Sequence, residues 1–135
     1  MKEIPWKTLT ILVVDDEPAQ LRLYTHAVKM LGVKRIVTAE DGADALAKVN
    51  LLNGNVDVVI TDVDTPTMNG IEFVKELRAH SDLRTSKIPV LVITNHREST
   101  VVTQAAELAI QGFLIKPITE AMLKLRIAKA LTRRG

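Results

Sequence analysis

The sequence contains no cysteine. This removes disulfide scaffolds, thiolate nucleophiles and cysteine-based zinc sites, and it leaves the redox compartment undetermined. Carboxylates, hydroxyls and lysine must carry any chemistry. No run approaches the roughly 18 unbroken apolar residues of a membrane span. The opening stretch 1–9 is too polar for a secretory signal, so a cytoplasmic protein without membrane association is expected. Internal repeats, low-complexity tracts and a glycine-rich phosphate loop of either common type are missing as well.

What is present is enough apolar material for one core: 135 residues with 47% hydrophobic content, too short for two ordinary domains. The expected layout is a lead over 1–8, one domain over 9–132 and a tail over 133–135. The net charge of +2 hides an asymmetry, because six basic residues and one acidic residue follow from Lys116 onward, leaving twelve basic and fifteen acidic before it. Scattered through a last helix, those basic residues read as a solvated face, and no direct DNA binding is expected.

Five short apolar runs, at 9–14, 35–39, 56–61, 90–94 and 112–115, alternate with longer segments of helical period. Such alternation predicts an α/β fold of (βα)5 form, a parallel sheet covered on both faces. Pro18 suits a first helical turn, Leu21, Tyr24, Ala27, Val28 and Leu31 recur at helical spacing, and Gly32 can close that helix. Further helices are expected after Asp41-Gly42, after Asn69-Gly70 and over 101–109. In the last one Thr119 can cap a stripe of Leu123, Ile127, Ala130 and Leu131.

In an open parallel sheet the ligand crevice lies beyond the carboxyl ends of the strands. Here the first strand ends in Asp15-Asp16, the third in Asp62, the fourth in Thr94 and the fifth in Lys116. Three carboxylates converging on one crevice repel each other unless a cation or protons intervene. Few ligands, all oxygen, suit Mg²⁺, which keeps waters and shares phosphate oxygens. Lys116 and Thr94 supply a positive charge and a hydroxyl donor for phosphoryl oxygens, which makes Asp62 the natural acceptor. Each residue alone has a plainer reading. Asp15 or Asp16 could cap the first helix, Thr94 could sit in a turn, and Lys116 could be a solvated charge.

Taken together, Val14-Asp15-Asp16-Glu17-Pro18, Thr61-Asp62 followed by Pro66, Met68 and Gly70, Ile93-Thr94, and Lys116-Pro117 resemble the CheY-like receiver domains of two-component response regulators. The resemblance spans residues 9–131. It implies a doubly wound, flavodoxin-like fold with strand order 2-1-3-4-5, in which Asp62 is phosphorylated by a sensor histidine kinase or histidine phosphotransfer protein. It further implies that Asp16, Asp62 and the backbone carbonyl of Asp64 ligate Mg²⁺ and that Asp15 helps through water. Lys116 contacts the phosphoryl oxygens, the Lys116-Pro117 bond is cis, and Thr94 and Phe113 move together as the switch. A surface over 99–131, comprising the fourth helix, fifth strand and fifth helix, then changes for a downstream protein whose identity is unread. The first helix, over 18–31, is the expected kinase-docking face. The protein is expected to be a monomer or weak dimer and no enzyme beyond accepting and losing its own phosphoryl group. No DNA-binding output segment follows residue 131, so output is expected to run through another protein unless the chain is part of a longer one.

Two departures stand out. Asn95 occupies a position that is usually very small in the family and is expected to narrow access to Asp62 or alter donor docking. Phe113 replaces a more frequent tyrosine and offers no hydroxyl to a partner. Two other readings stay open. Asp62-Val63-Asp64-Thr65 also looks like the nucleophile motif of haloacid-dehalogenase-type phosphatases, although that family places it on the first strand and Asp15-Asp16 come too early. The domain could also be an adaptor that is never phosphorylated. Asp64 and His96, each two residues beyond Asp62 and Thr94, are expected to flank the mouth of the site and set phosphoryl lifetime, the plainer alternative being exposed loop residues that pair weakly. Asp64→Ala and His96→Ala should change the dephosphorylation half-life. Half-lives equal to that of the parent protein would remove them from that role.

Overall fold

The computed structural model describes residues 3–95, 104 and 106–132. Five parallel strands, β1 (Thr10–Val14), β2 (Arg35–Ala39), β3 (Val58–Asp62), β4 (Val90–Thr94) and β5 (Gly112–Ile115), form one sheet in the order β2-β1-β3-β4-β5. Successive side chains of a strand point to opposite faces, so a buried apolar strand feeds two cores at once. Ile11 and Val13 join Ile60, Leu91 and Ile93 beneath the first and last helices. Leu12 and Val14 join Val59, Val90 and Val92 on the other face. This explains why the interiors of the central strands are apolar.

The helices begin where their sequence signals place them. α1 (Pro18–Met30) has proline in its first turn, and Gly32 takes the left-handed backbone at φ +104° just past its end. Asp41 caps α2 (Gly42–Leu51) by accepting the N–H of Asp44 at 2.8 Å. α3 (Gly70–Arg78) opens with a reciprocal capping box between Asn69 and Glu72. In the last helix (Glu120–Thr132), Leu123, Ile127 and Ala130 are buried, Leu131 is half-buried, and Thr119 accepts the N–H of Met122.

Two details differ from expectation. β3 starts two residues later than the apolar run, because Asp57 turns its carboxylate onto the N–H of Thr10 at 2.8 Å. A single helical turn, Leu83–Ser86, precedes β4. Within the lead, Ile4 and Trp6 pack against the core under α1. Of the helix expected over 101–109, Gln104, Ala106 and Glu107 are helical; residues 101–103 and 105 lie outside the described residues. Among the described residues no helix is long and apolar enough to cross a membrane.

Two glycines fix the loop after β3. A Cβ on Gly42 would stand 2.7 Å from the carbonyl of Met68, whose oxygen accepts the N–H of Gly42 at 2.8 Å. A Cβ on Gly70 would stand 2.5 Å from the carbonyl oxygen of Asp62 itself. In an open helix Gly→Ala gains about 0.5–1 kcal/mol. Here the rigid backbone contact reverses the sign, and Gly70→Ala should lose about 1–3 kcal/mol in urea unfolding. A gain in stability would show that the loop yields.

Candidate functional site

The strand ends meet as the parallel register dictates. Asp62 pairs in register with Ile93 and Thr94 with Ile115, while the N–H of Lys116 donates to the Thr94 carbonyl at 2.9 Å. On the other side, Val14 pairs with Thr61, and the N–H of Asp15 continues the ladder onto Ala39 at 3.0 Å. Four of the five strands thus deliver a functional group to one edge. Asp15, Asp62 and Thr94 are buried there, with 2%, 4% and 1% of their surface exposed.

Lys116 Nζ donates to Asp62 Oδ2 at 2.6 Å, reaching past β4 from the sheet edge. The other carboxylate oxygen, Oδ1, accepts the backbone N–H of Asp64 at 2.8 Å. Burial works against a charged Lys116, but the hydrogen bond and charge of Asp62, then the charges of Asp15 and Glu17, outweigh it and hold the ammonium above its ordinary pKa. Lys116 is therefore a fixed cation at any physiological pH.

Asp15 is the misfit. Oδ1 accepts the N–H of Glu17 at 2.9 Å, while Oδ2 is buried and among the described residues has no hydrogen-bond partner. Desolvation is the largest influence on this carboxyl. The Glu17 hydrogen bond opposes it, the charge of Asp62 adds to it, and the balance lifts the pKa to about 6. The capping alternative for the acidic pair fails, since Glu17 is the residue at the α1 N-cap and no side chain caps that helix.

Asp16 and the side chain of Asp64 are exposed at the mouth. Among the described residues, no three acidic or histidine side chains are gathered tightly enough to hold a metal alone. The donor set nonetheless fits Mg²⁺: oxygen only, few carboxylates, and one buried oxygen without a partner. An ion that retains waters and takes backbone and phosphate oxygens does not need a closed side-chain cage.

Phe113 is half-buried among the side chains on the α2 and α3 face of the sheet, and the Lys116-Pro117 bond is cis. Asn95 is exposed and lines a cleft with Lys116, Glu17, Gln20 and Tyr24. His96 lies outside the described residues. Tyr24 read as a core residue in the sequence, and it is buried, yet it also borders this cleft. A tyrosine at a core-facing position near the crevice was the available signal, since a buried ring with a polar tip favours such borders.

Residues 11–128 match the family model of the response regulator receiver domain. Chemotaxis protein CheY-3 of Vibrio cholerae is similar, with 35% identity over 98% of this chain and 99% of its own length. The chemotaxis protein CheY of Pseudomonas aeruginosa shares 33% over 93% and 98%. The crystal structure of CheY4 of Vibrio cholerae superposes with a TM-score of 0.82 at 30% identity, covering 91% of this chain and 98% of that one. The phosphatase alternative finds no support in this set. The chain belongs to the response regulator receiver domain family and serves phosphorelay signal transduction.

Proposed function

We propose that Asp62 is the phosphoryl acceptor, charged by a sensor histidine kinase or a histidine phosphotransfer protein. The observation that carries this reading is the part-buried contact between Asp62 Oδ2 and Lys116 Nζ at 2.6 Å. An Asp62 oxygen attacks phosphorus, the donor's P–N bond breaks and the imidazole leaves with its electron pair. Lys116 then faces a phosphoryl oxygen in place of the carboxylate oxygen it holds now, and the N–H of Asp64 keeps the other oxygen in place.

Asp15, Asp16, Asp62 and the backbone carbonyl of Asp64 would hold Mg²⁺. When bound, the ion neutralises the carboxylates and screens the transferring oxygens. Acylphosphate at Asp62 adds negative charge and strong acceptors, which draw the Thr94 hydroxyl inward and let Phe113 fill the space behind it. A partner reads the resulting change over residues 99–131. The protein acts on no outside substrate; it accepts and loses its own phosphoryl group. The constitutive adaptor remains the second reading, and buried Asp62 and Thr94 with half-buried Lys116 at one sheet edge favour the acceptor.

Acetyl phosphate with Mg²⁺ should add one phosphoryl group, mapped to Asp62 by mass spectrometry, and Asp62→Asn should accept none. Beryllofluoride that left the spectrum unchanged would favour the adaptor. A second expectation concerns pH in protein stripped of divalent ions. The Asp15 carboxyl binds its proton more tightly when folded, with a pKa of about 6, than the ordinary 3.8. Its effect on stability is therefore harmless below about pH 4, grows as pH rises through about 6 and is constant above. Relative to the parent, Asp15→Asn should be more stable by about 1–3 kcal/mol at pH 7 and should lose that advantage at pH 4. Adding Mg²⁺ should narrow the difference at pH 7. A pH-independent difference would place the cause elsewhere.

A further inference from the structure

The strand that carries Lys116 is the least secured of the five. Among the described residues β5 has four residues, lies at the sheet edge and pairs with β4 alone. Its register decides where Phe113 and Lys116 stand, because a slip of one residue turns every side chain to the other face.

The start of this strand pair is held by a side chain from a different layer. Arg78, the last residue of α3, donates from Nε to the Leu108 carbonyl at 2.9 Å and from Nη2 to the Ala109 carbonyl at 3.2 Å. Its Nη1 reaches the carbonyls of Ser86 at 3.0 Å and Ile88 at 2.8 Å. The first pair of acceptors lies just before β5 and the second just before β4. Gln111 completes the connection. Its Oε1 accepts the N–H of Val90 at 2.6 Å and stands 3.5 Å from Arg78 Nη2, while its own N–H donates to the Val90 carbonyl at 2.9 Å.

Arg78 is half-buried, and burial holds its pKa below the ordinary guanidinium value. Arginine stays charged all the same. Among the described residues no carboxylate pairs with it. A partly desolvated charge satisfied by backbone carbonyls of two segments does the work of a cross-link, since its planar fork fixes directions as well as distances. Ala109 shows the consequence locally. It holds a left-handed backbone, φ +54°, which a non-glycine residue adopts at a cost, and its carbonyl is one of those that Arg78 binds.

We propose that Arg78 and Gln111 form a staple that sets the register of β5 on β4 and so positions Lys116 beside Thr94 and Asp62 from the opposite end of the sheet. They are positioning residues for phosphoryl acceptance, and the functional half of this inference rests on Asp62 being the acceptor. Three variants separate the staple from general stability. Gln111→Leu and Arg78→Met remove it. Gln111→Glu retains it, because a carboxylate offers the same acceptor to Val90 and to Arg78.

Two quantities are read on each: beryllofluoride affinity in the presence of Mg²⁺, and amide exchange at β5 and β3. Gln111→Leu and Arg78→Met should weaken beryllofluoride about tenfold or more, as expected for a displaced charge in a site of fixed geometry. Their exchange should accelerate over Gly112–Ile115 and stay unchanged over Val58–Asp62, with Gln111→Glu close to the parent in both. Parent-like affinity in both disrupting variants would overturn the proposal. So would exchange that rises equally in β3 and β5, the mark of general destabilisation. If Arg78→Met does not fold, Gln111→Leu carries the same test. If the parent protein itself fails to bind beryllofluoride, the reading of Asp62 falls. Exchange in the free variants then still decides the staple, for which unchanged β5 exchange is fatal.

Discussion

The contact between Lys116 and Asp62 sets the terms for the rest of the molecule. It joins side chains from the third and fifth strands across the fourth, so it exists only if all three keep their register. As a source of stability a part-buried ion pair is weak, because desolvation offsets much of the attraction, and its geometry matters more than its net energy. The pair therefore fixes a geometry more than it stabilises a fold. Beside it, the unpartnered oxygen of Asp15 raises the local energy further. A protein selected for stability alone would not place a second buried carboxyl next to an ion pair that one cation already balances. The surplus negative charge has physical sense in a site meant to receive another cation.

Much of this was legible in the sequence, for a physical reason. A buried parallel strand leaves a continuous apolar run, and the first polar residue after it marks the sheet edge where ligands bind. Asp15, Thr94 and Lys116 are readable because each breaks such a run, and Asp62 because it follows its run after a single buried threonine, Thr61. The helices were readable from their caps, as Asp41 and Asn69 show. The beginning of β3 was not, because Val56 is buried like a strand residue while the neighbouring Asp57 ties the chain to Thr10 before pairing starts. The turn Leu83–Ser86 is too short to produce a period. Arg78 was invisible for a different reason. Its partners are mainly backbone carbonyls, eight to thirty-one residues distant, and a carbonyl leaves no mark on residue type.

The same contrast explains where the molecule stores its strain. The sheet residues are regular and buried, whereas two of the non-glycine residues at positive φ, Thr67 and Ala109, sit in the loops after β3 and before β5. Thr67 is the harder case. A β-branched side chain in left-handed backbone is unfavourable, and a hydrogen bond from the N–H of Met68 to the Pro66 carbonyl at 2.6 Å closes a strained three-residue turn around it. Such residues cost about 1–3 kcal/mol each and persist where neighbours over-determine them. Here the Met68 carbonyl accepts both Thr65 Oγ1 and the N–H of Gly42, each at 2.8 Å, and the Asn69–Glu72 box fixes the chain a residue later.

That loop carries Asp64, whose N–H holds Asp62, so its strain is borne next to the proposed acceptor carboxylate. The distribution has a mechanical meaning. Fixed strands supply the distances that phosphoryl transfer requires, since a rigid sheet does not yield when charge changes at one edge. Changes in charge must then be absorbed by the connections between strands. Those connections are held by a few directional hydrogen bonds as well as by packing, and hydrogen bonds can be exchanged one for another when a phosphoryl group offers new acceptors. A signal that begins as negative charge on one side chain can thus become a change of shape without disturbing the core that makes the site possible.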